Sequence, residues 1–473
     1  MQNLRYSDES CQVCTEELHE RNTASWRHFV ISTCLLVAVG CVWADDDAEE
    51  ALEQSMTAEI ESEDEDEAFE RAEHDIENSL EEQFEGAEEL EDELEERLER
   101  MFEARSHGDD DFITQGIEDH IHQLWQLEEM LDESGFPALP EQTIALLTEQ
   151  ELNDAKASGA DIIATEVMTE LGGILVIFGD SRVVPPKDSD SNHLYGLDGT
   201  TTPSSISTPV PTLAKMMGIS APISLPVKIG LMDSHIQEDH PCLTGVHINQ
   251  AAYYPPEATN DDAHGTAMAS IFAGRADCAA PGILAQAELD NAVVFARTDH
   301  GLVVATAADL VAGLNWLLAQ QVNVINLSLS GPPNRVLEEA LNRVHDRGVV
   351  IVASAGNDGP AAFPRYPAAY SSVVAVTAID AALNIYSRAC QGDHIAFSAP
   401  GVGVRVADAS TGREQTMDGT SVAAVFVATA LALEQSDGAN KVERMEVQAK
   451  DLGARGKDTV FGYGLPQLRA ASN

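Results

Sequence analysis

Basic side chains are scarce in this chain. Its 473 residues hold 27 Lys and Arg against 80 Asp and Glu, a formal net charge of −53. Proteins that track a phosphate backbone or dock on anionic lipid present a basic face, so the charge excludes nucleic acid as a partner and argues against docking on anionic lipid. Cysteine is sparse too, with seven residues at 11, 14, 34, 41, 242, 278 and 390. That is too few for a disulfide scaffold, and Cys11-Gln-Val-Cys14 supplies only half of a four-ligand zinc set. Aromatic residues make up 5 %, yet 44 % of the chain is hydrophobic. A core can therefore form, and at ~100–200 residues per domain the length calls for two or more units.

Long hydrophobic runs are absent save one, FVISTCLLVAVGCVWA at 29–44. As a helix it reaches about 24 Å, short of the ~30 Å hydrocarbon core of a bilayer. Arg27 and His28 precede it, and Ala44 followed by three aspartates offers a small-residue cleavage site, the layout of an export signal. Two outcomes stay open: cleavage that frees an exported (periplasmic or secreted) protein, or retention of 29–44 as a membrane tether with the rest outside the cytoplasm. Cleavage after Ala44 leaves three cysteines, which allows one disulfide or none.

The charge is concentrated. Residues 45–111 carry 32 acidic and only 4 basic side chains. From Phe69 to Met101, apolar residues recur at steps of three and four, the stripe of an amphipathic helix among glutamates. Like charges so dense oppose a stable isolated helix, so the segment reads as a solvated acidic helix or spacer. Farther on, 142–147, 161–167 and 174–178 read as strands, and 149–158 as a helix closed by Gly159. Residues 187–226, rich in Ser, Thr, Pro and Asp, read as an exposed linker.

From Val227 short, continuous apolar runs alternate with amphipathic stretches. The runs at 227–232, 292–296, 322–327, 349–353 and 373–378 predict parallel strands buried on both faces; helices are expected near 264–274, 303–320 and 334–347. This is an α/β doubly wound sheet, whose ligands bind beyond the carboxyl ends of the strands. Four polar residues fall there: Asp233 closing a strand, His264 opening a helix, Asn357 ending a strand in VVIVASAGNDGP, and Ser421 opening a long apolar helix. A hydroxyl that needs a base, an imidazole that needs an orienting acid, and a carboxamide that can donate to an oxyanion are the parts of an acyl-transfer site. Singly, each is more simply an N-cap, a core histidine or a turn.

Together with Val324-Ile325-Asn326-Leu327-Ser328, Gly419-Thr420-Ser421 and Phe461-Gly462-Tyr463-Gly464-Leu465, these blocks resemble the subtilisin-like (subtilase) serine peptidases, in that family's Asp, His, Ser order. The resemblance covers 227–473. It implies that Ser421 is the nucleophile, His264 the general base and Asp233 its orienting acid. The Asn357 side chain and the Ser421 main-chain N–H would form the oxyanion hole. It also implies that Ser328, Leu329, Ser330 and Gly331 line one wall of the specificity pocket and Ala353, Ser354, Ala355 and Gly356 the other, pairing with an extended substrate. Two positions depart from the family pattern: His235 stands where glycine is usual, and Val425 where proline is usual.

The family implies no cofactor, and the compact 264–287 stretch lacks the inserted loop that many secreted subtilases use for calcium, so no metal site is expected. The unit at 137–186 resembles, more loosely, a subtilase pro-region, an intramolecular partner removed on maturation. The expected organisation is a leader at 1–44, an acidic extension at 45–136, the small α/β unit, the linker at 187–226 and a peptidase domain at 227–473. The expected function is an exported serine endopeptidase acting on polypeptides. The alternative is a weak or inactive subtilase-fold peptide-binding protein.

Overall fold

Residues 142–147 begin a hydrophobic stretch that the structure folds as a strand within a longer one, β1 (Ala138–Leu147), followed by α1 (Glu149–Ala157), β2 (Ile162–Val167) and β3 (Ile174–Phe178). Thr148 starts α1 with a reciprocal capping box: its hydroxyl accepts from the Glu151 N–H while Glu151 accepts from the Thr148 N–H. The computed structural model describes residues 131–132, 136–179, 188–198, 200–201, 207–254, 258–298, 302–434 and 439–468. The leader with its apolar run at 29–44, Cys11, Cys14, Cys34, Cys41 and the acidic stripe at 69–101 lie outside the described residues.

The chain continues through β4 (Asp190–Leu197), β5 (Thr200–Thr201), β6 (Thr208–Pro209) and the short α2 (Val210–Ala214). This departs from the sequence reading of 187–226 as an exposed linker. Asn192, His193, Leu194 and Tyr195 are buried, as are Val210, Leu213 and Ala214. The composition is that of a loop, but β4 gains its partners from distant elements, and local composition does not report those.

The remainder alternates strand and helix. It runs β7 (Val227–Asp233), β8 (His247–Ala252), β9 (Thr259–Asn260), α3 (Ala263–Ala273), β10 (Ala287–Val293), β11 (Ala296–Arg297) and β12 (Val303–Thr306). Next come α4 (Ala307–Ala319), β13 (Val324–Leu327), β14 (Leu329–Ser330), α5 (Arg335–Asp346), β15 (Val350–Ser354) and β16 (Val373–Ile379). β17 (Ile395–Pro400), β18 (Val404–Asp408), β19 (Arg413–Asp418), α6 (Thr420–Leu433) and α7 (Ala439–Gln448) close it.

Seven strands form one sheet in the order β17-β16-β15-β13-β7-β10-β8, every neighbouring pair parallel. Its two faces bury different side chains. Ile229, Leu231, Val324 and Val352 pack with α3 and α6 on one side; Met232, Ile325, Leu327 and Ile351 pack with α4 and α5 on the other. That two-sided burial is why β7, β13, β15 and β16 are mostly apolar in sequence.

The small unit is an antiparallel sheet, β2-β3-β1-β4, with α1 on one face. Ala145, Leu147, Val176 and Phe178 pack against α1, while Ile144, Leu171 and Leu175 join the core formed by α4 and α5. Polar contacts fix this seat. Asn315 on α4 accepts from the N–H groups of Glu170 and Leu171 at 2.8 and 3.1 Å, and Arg343 on α5 donates to the Gly172 carbonyl at 2.5 Å. β4 then leaves the unit to pair with β12 and β14.

Candidate active site

Asp233 ends β7, and His264 occupies the first turn of α3. The two elements can approach because residue 265 is glycine: a Cβ there would lie 2.2 Å from the Ser234 carbonyl oxygen. Ser234 completes the junction. Its hydroxyl accepts from the Gly265 N–H at 2.9 Å, and its own N–H donates to Asp233 Oδ1 at 2.7 Å. Asn291 on β10 donates to the Ser234 carbonyl at 3.0 Å. Within this buried frame His264 Nδ1 donates to Asp233 Oδ1 at 2.7 Å.

Burial pushes the His264 imidazole down. The Asp233 charge and hydrogen bond outweigh it, joined by the charge and main-chain carbonyl of Asp198, and the net pKa is raised above the ordinary 6.5. An ionised carboxylate on Nδ1 leaves the far nitrogen, Nε2, free to accept a proton.

Ser421 lies at the start of α6 and is fully buried. Gly419 precedes it at φ 151°, a conformation that favours glycine. Both Ser421 Oγ and His264 Nε2 are buried without a hydrogen-bond partner, so the hydroxyl–imidazole bond is unmade in this state. Reacting groups in resting sites often tighten only around a transition state.

Asn357 follows β15 and is also buried. Thr420 holds its carboxamide oxygen with both its N–H and its hydroxyl, each at 3.1 Å. The carboxamide nitrogen is thereby left as the donor. The N-terminus of α6 adds partial positive charge at Ser421.

The two expected pocket walls come together around the chain's own strand β4. Antiparallel to β12, it registers Tyr195 with Ala305 and Leu194 with Thr306. Antiparallel to β14, it registers Leu197 with Leu329 and Gly196 with Ser330. The Asp198 N–H donates to the Ser328 carbonyl at 3.2 Å. Ser330 and Ser354, one from each wall, donate their hydroxyls to the two Asp198 carboxyl oxygens at 2.8 and 2.7 Å. Gly331 abuts the Tyr195 ring, where a Cβ would lie within 2.5 Å. Leu329, Ala353 and Ala355 are buried beside them, and the Gly356 N–H donates to the Thr420 hydroxyl at 3.2 Å.

The departures from the family pattern sit clear of these contacts. His235 turns to the partly exposed rim and pairs with Asp262 at 2.8 Å, and Val425 is a buried residue within an unbroken α6. Ser234, Asn291, Thr420 and Asp198 belong to the site but were not among the residues the sequence pointed to. Adjacency to Asp233 and Ser421 was the available signal for Ser234 and Thr420; Asn291 and Asp198 had none.

A model of the subtilase family matches residues 226–464, half of the chain and all of the residues just described except β4 and Asp198. The chain belongs to the subtilase family. This subtilase is 34 % identical over 254 residues to the minor extracellular protease Epr of Bacillus subtilis, covering 52 % of this chain and 38 % of Epr. It is 32 % identical over 258 residues to subtilisin DY of Bacillus licheniformis, covering 52 % of this chain and 90 % of that one. The match thus spans less than half of Epr and most of subtilisin DY. Among solved structures it is similar in fold to fervidolysin from Fervidobacterium pennivorans, a keratinolytic enzyme related to subtilisin, with a TM-score of 0.58 and 18 % identity over 71 % of this chain and 61 % of that one. The structural likeness of this subtilase therefore reaches beyond the segment matched in sequence.

Proposed function

We propose that this chain is a serine endopeptidase made as a precursor and exported. Ser421 attacks the substrate carbonyl, His264 takes its proton and later passes it to the leaving amine, and Asp233 holds the imidazole tautomer. Asn357 and the Ser421 N–H receive the oxyanion. The observation that carries this reading is the buried 2.7 Å contact between His264 Nδ1 and Asp233 Oδ1, made by residues at a strand end and a helix start.

The unit at 137–186, with β4, is the pro-region. Its support is the seat on α4 and α5 and the path of β4 between β12 and β14, where an extended peptide would add to the sheet edges. Export is supported by the run at 29–44 and by the Cys242–Cys278 disulfide, which needs an oxidising compartment. Among the described residues no helix is long and apolar enough to cross a membrane.

The test is hydrolysis of unfolded casein by the purified full-length chain. Wild type should cleave it after self-processing and Ser421→Ala should not. Equal cleavage by both proteins would overturn the proposal.

A further inference from the structure

The strand that fills the cleft ends on a residue chosen for its side chain as well as its backbone. Main-chain pairing with β12 and β14 would hold any sequence, but Asp198 is gripped beyond that. Its carboxyl is buried and each oxygen accepts from a different serine, Ser330 at 2.8 Å and Ser354 at 2.7 Å. Ser354 itself is fully buried at the end of β15. An apolar residue in this place would take the short acceptor from both hydroxyls, leaving Ser354 only the long contacts to the Leu327 and Leu329 carbonyls at 3.5 and 3.4 Å, and a site built to hydrogen-bond a polar group rejects analogues that lack it.

The main chain at this residue is held on both sides. The Asp198 N–H donates to the Ser328 carbonyl at 3.2 Å, and the charge and main-chain carbonyl of Asp198 help raise the His264 pKa. Beyond Asp198 the chain is again fixed, because Thr200 and Thr201 pair with Asp418 and Met417 on β19. That strand leads through Gly419 and Thr420 directly to Ser421. Upstream, the Tyr195 ring is buried against Gly331 and its hydroxyl donates to the Pro332 carbonyl at 3.0 Å.

We propose that the bond on the carboxyl side of Asp198 is the one this chain cuts in itself, and that Ser330 and Ser354 make its specificity pocket selective for aspartate, with an aromatic residue three positions upstream. This rests on the endopeptidase reading above. In the step, Ser421 Oγ bonds to the Asp198 carbonyl carbon and its proton passes to His264. The bond to the Gly199 nitrogen breaks, and His264 protonates that nitrogen, releasing it as an amine. Water then attacks the ester, gives a proton to His264 and leaves Asp198 as a free acid, while the proton returns to Ser421. Two charged groups act on the carboxyl from outside the serine pair. The Asp358 carboxylate opposes its ionisation and His264 favours it.

The experiment has two arms on the full-length protein. N-terminal sequencing and intact mass after incubation should give a chain beginning Gly199-Thr200 from wild type and none from Ser421→Ala. The self-processed enzyme is then assayed on acetyl-Tyr-Gly-Leu-Xaa fluorogenic amides, Xaa being Asp, Leu or Lys. The Asp peptide should exceed the others at least about tenfold in kcat/KM, and Ser330→Ala or Ser354→Ala should each lower the Asp-to-Leu ratio about tenfold. A new N-terminus elsewhere, or preference for Leu or Lys, overturns the inference. Casein cleavage and labelling by a serine-directed phosphonate separate the two levels: both present without Asp preference defeats this inference alone, and both absent defeats the endopeptidase reading as well.

Discussion

Thr420 grips the Asn357 carboxamide oxygen twice, through its N–H and its hydroxyl, both at 3.1 Å. The residue next to the proposed nucleophile therefore sets which end of the amide faces a developing oxyanion. Its hydroxyl also accepts from the Gly356 N–H at 3.2 Å, tying the end of β15 to the start of α6. Replacing Asn357 with Leu should lower kcat by about 10²–10³-fold, the range for loss of one oxyanion donor, with KM little changed. Thr420→Val keeps the shape and the N–H but loses the hydroxyl, and kcat should fall by about tenfold. Steady-state kinetics on a peptide amide reads both; a change confined to KM would refute the positioning role.

As the proposed general base, His264 should set the acid side of the pH profile. His264 works as a base only when neutral, and despite burial its pKa is raised, chiefly by Asp233. The kcat/KM should therefore fall as pH drops through a value above 6.5. Asp233→Asn removes the charge, so the inflection should move to lower pH while the plateau falls by about 10³–10⁴-fold. The same raised pKa means that the His264–Asp233 pair stabilises the fold fully below about pH 6.5 and loses that contribution as pH rises through the folded-state value.

Asp198 should give the precursor a pH-dependent hold on its own cleft. Burial raises its pKa to about 6 against an ordinary 3.8, with Asp358 adding to the rise and the two serine hydroxyls and His264 opposing it. A carboxyl with a raised pKa favours docking when protonated. Docking is thus fullest below about pH 4 and weakens as pH climbs through 6, by up to about a hundredfold. Amide exchange of 190–198 in full-length Ser421→Ala, corrected for intrinsic rates, should show protection lost from acid to neutral pH. Adding Asp198→Asn should flatten that dependence.

The disulfide between Cys242 and Cys278 closes a loop across 36 positions, linking the segment after Asp233 to the stretch beyond α3. For a loop of that size the loss of unfolded-chain entropy is worth about 3–4 kcal/mol. Cys242→Ser with Cys278→Ser should lower the unfolding free energy of Ser421→Ala by about that amount in a denaturant titration. Cys390 is buried and free, and burial raises its thiol pKa, so it should resist alkylation in the folded protein.

Much of the sheet was legible because its strands are buried on both faces. The runs that became β7, β13, β15 and β16 are mostly apolar, and the side chains of the candidate site lie at the ends of β7, β13 and β15. The pairing of Asp233 with His264 could be expected from family order. The grip of Ser330 and Ser354 on Asp198 could not, since pocket walls do not name what fills them. β4 escaped for a related reason. DSNHLYGL has no clean alternation, and its Asn192 and His193 are buried through partners far away in sequence: Asn192 accepts from the Ala308 N–H at 3.1 Å, and Asn334 donates to His193 at 2.9 Å. Neither partner leaves a mark on the local pattern. His235 stood out as a departure, yet its side chain lies on the rim beside Asp262.

The central claim is that Ser421 is a nucleophile activated by His264. The most direct measurement is covalent labelling of the self-processed protein by a fluorophosphonate, with the adduct located by peptide mass spectrometry. The account predicts one adduct, on Ser421, lost in His264→Ala although the serine remains. No adduct on folded wild type, an adduct on another residue, or undiminished labelling of Ser421 in His264→Ala would contradict it.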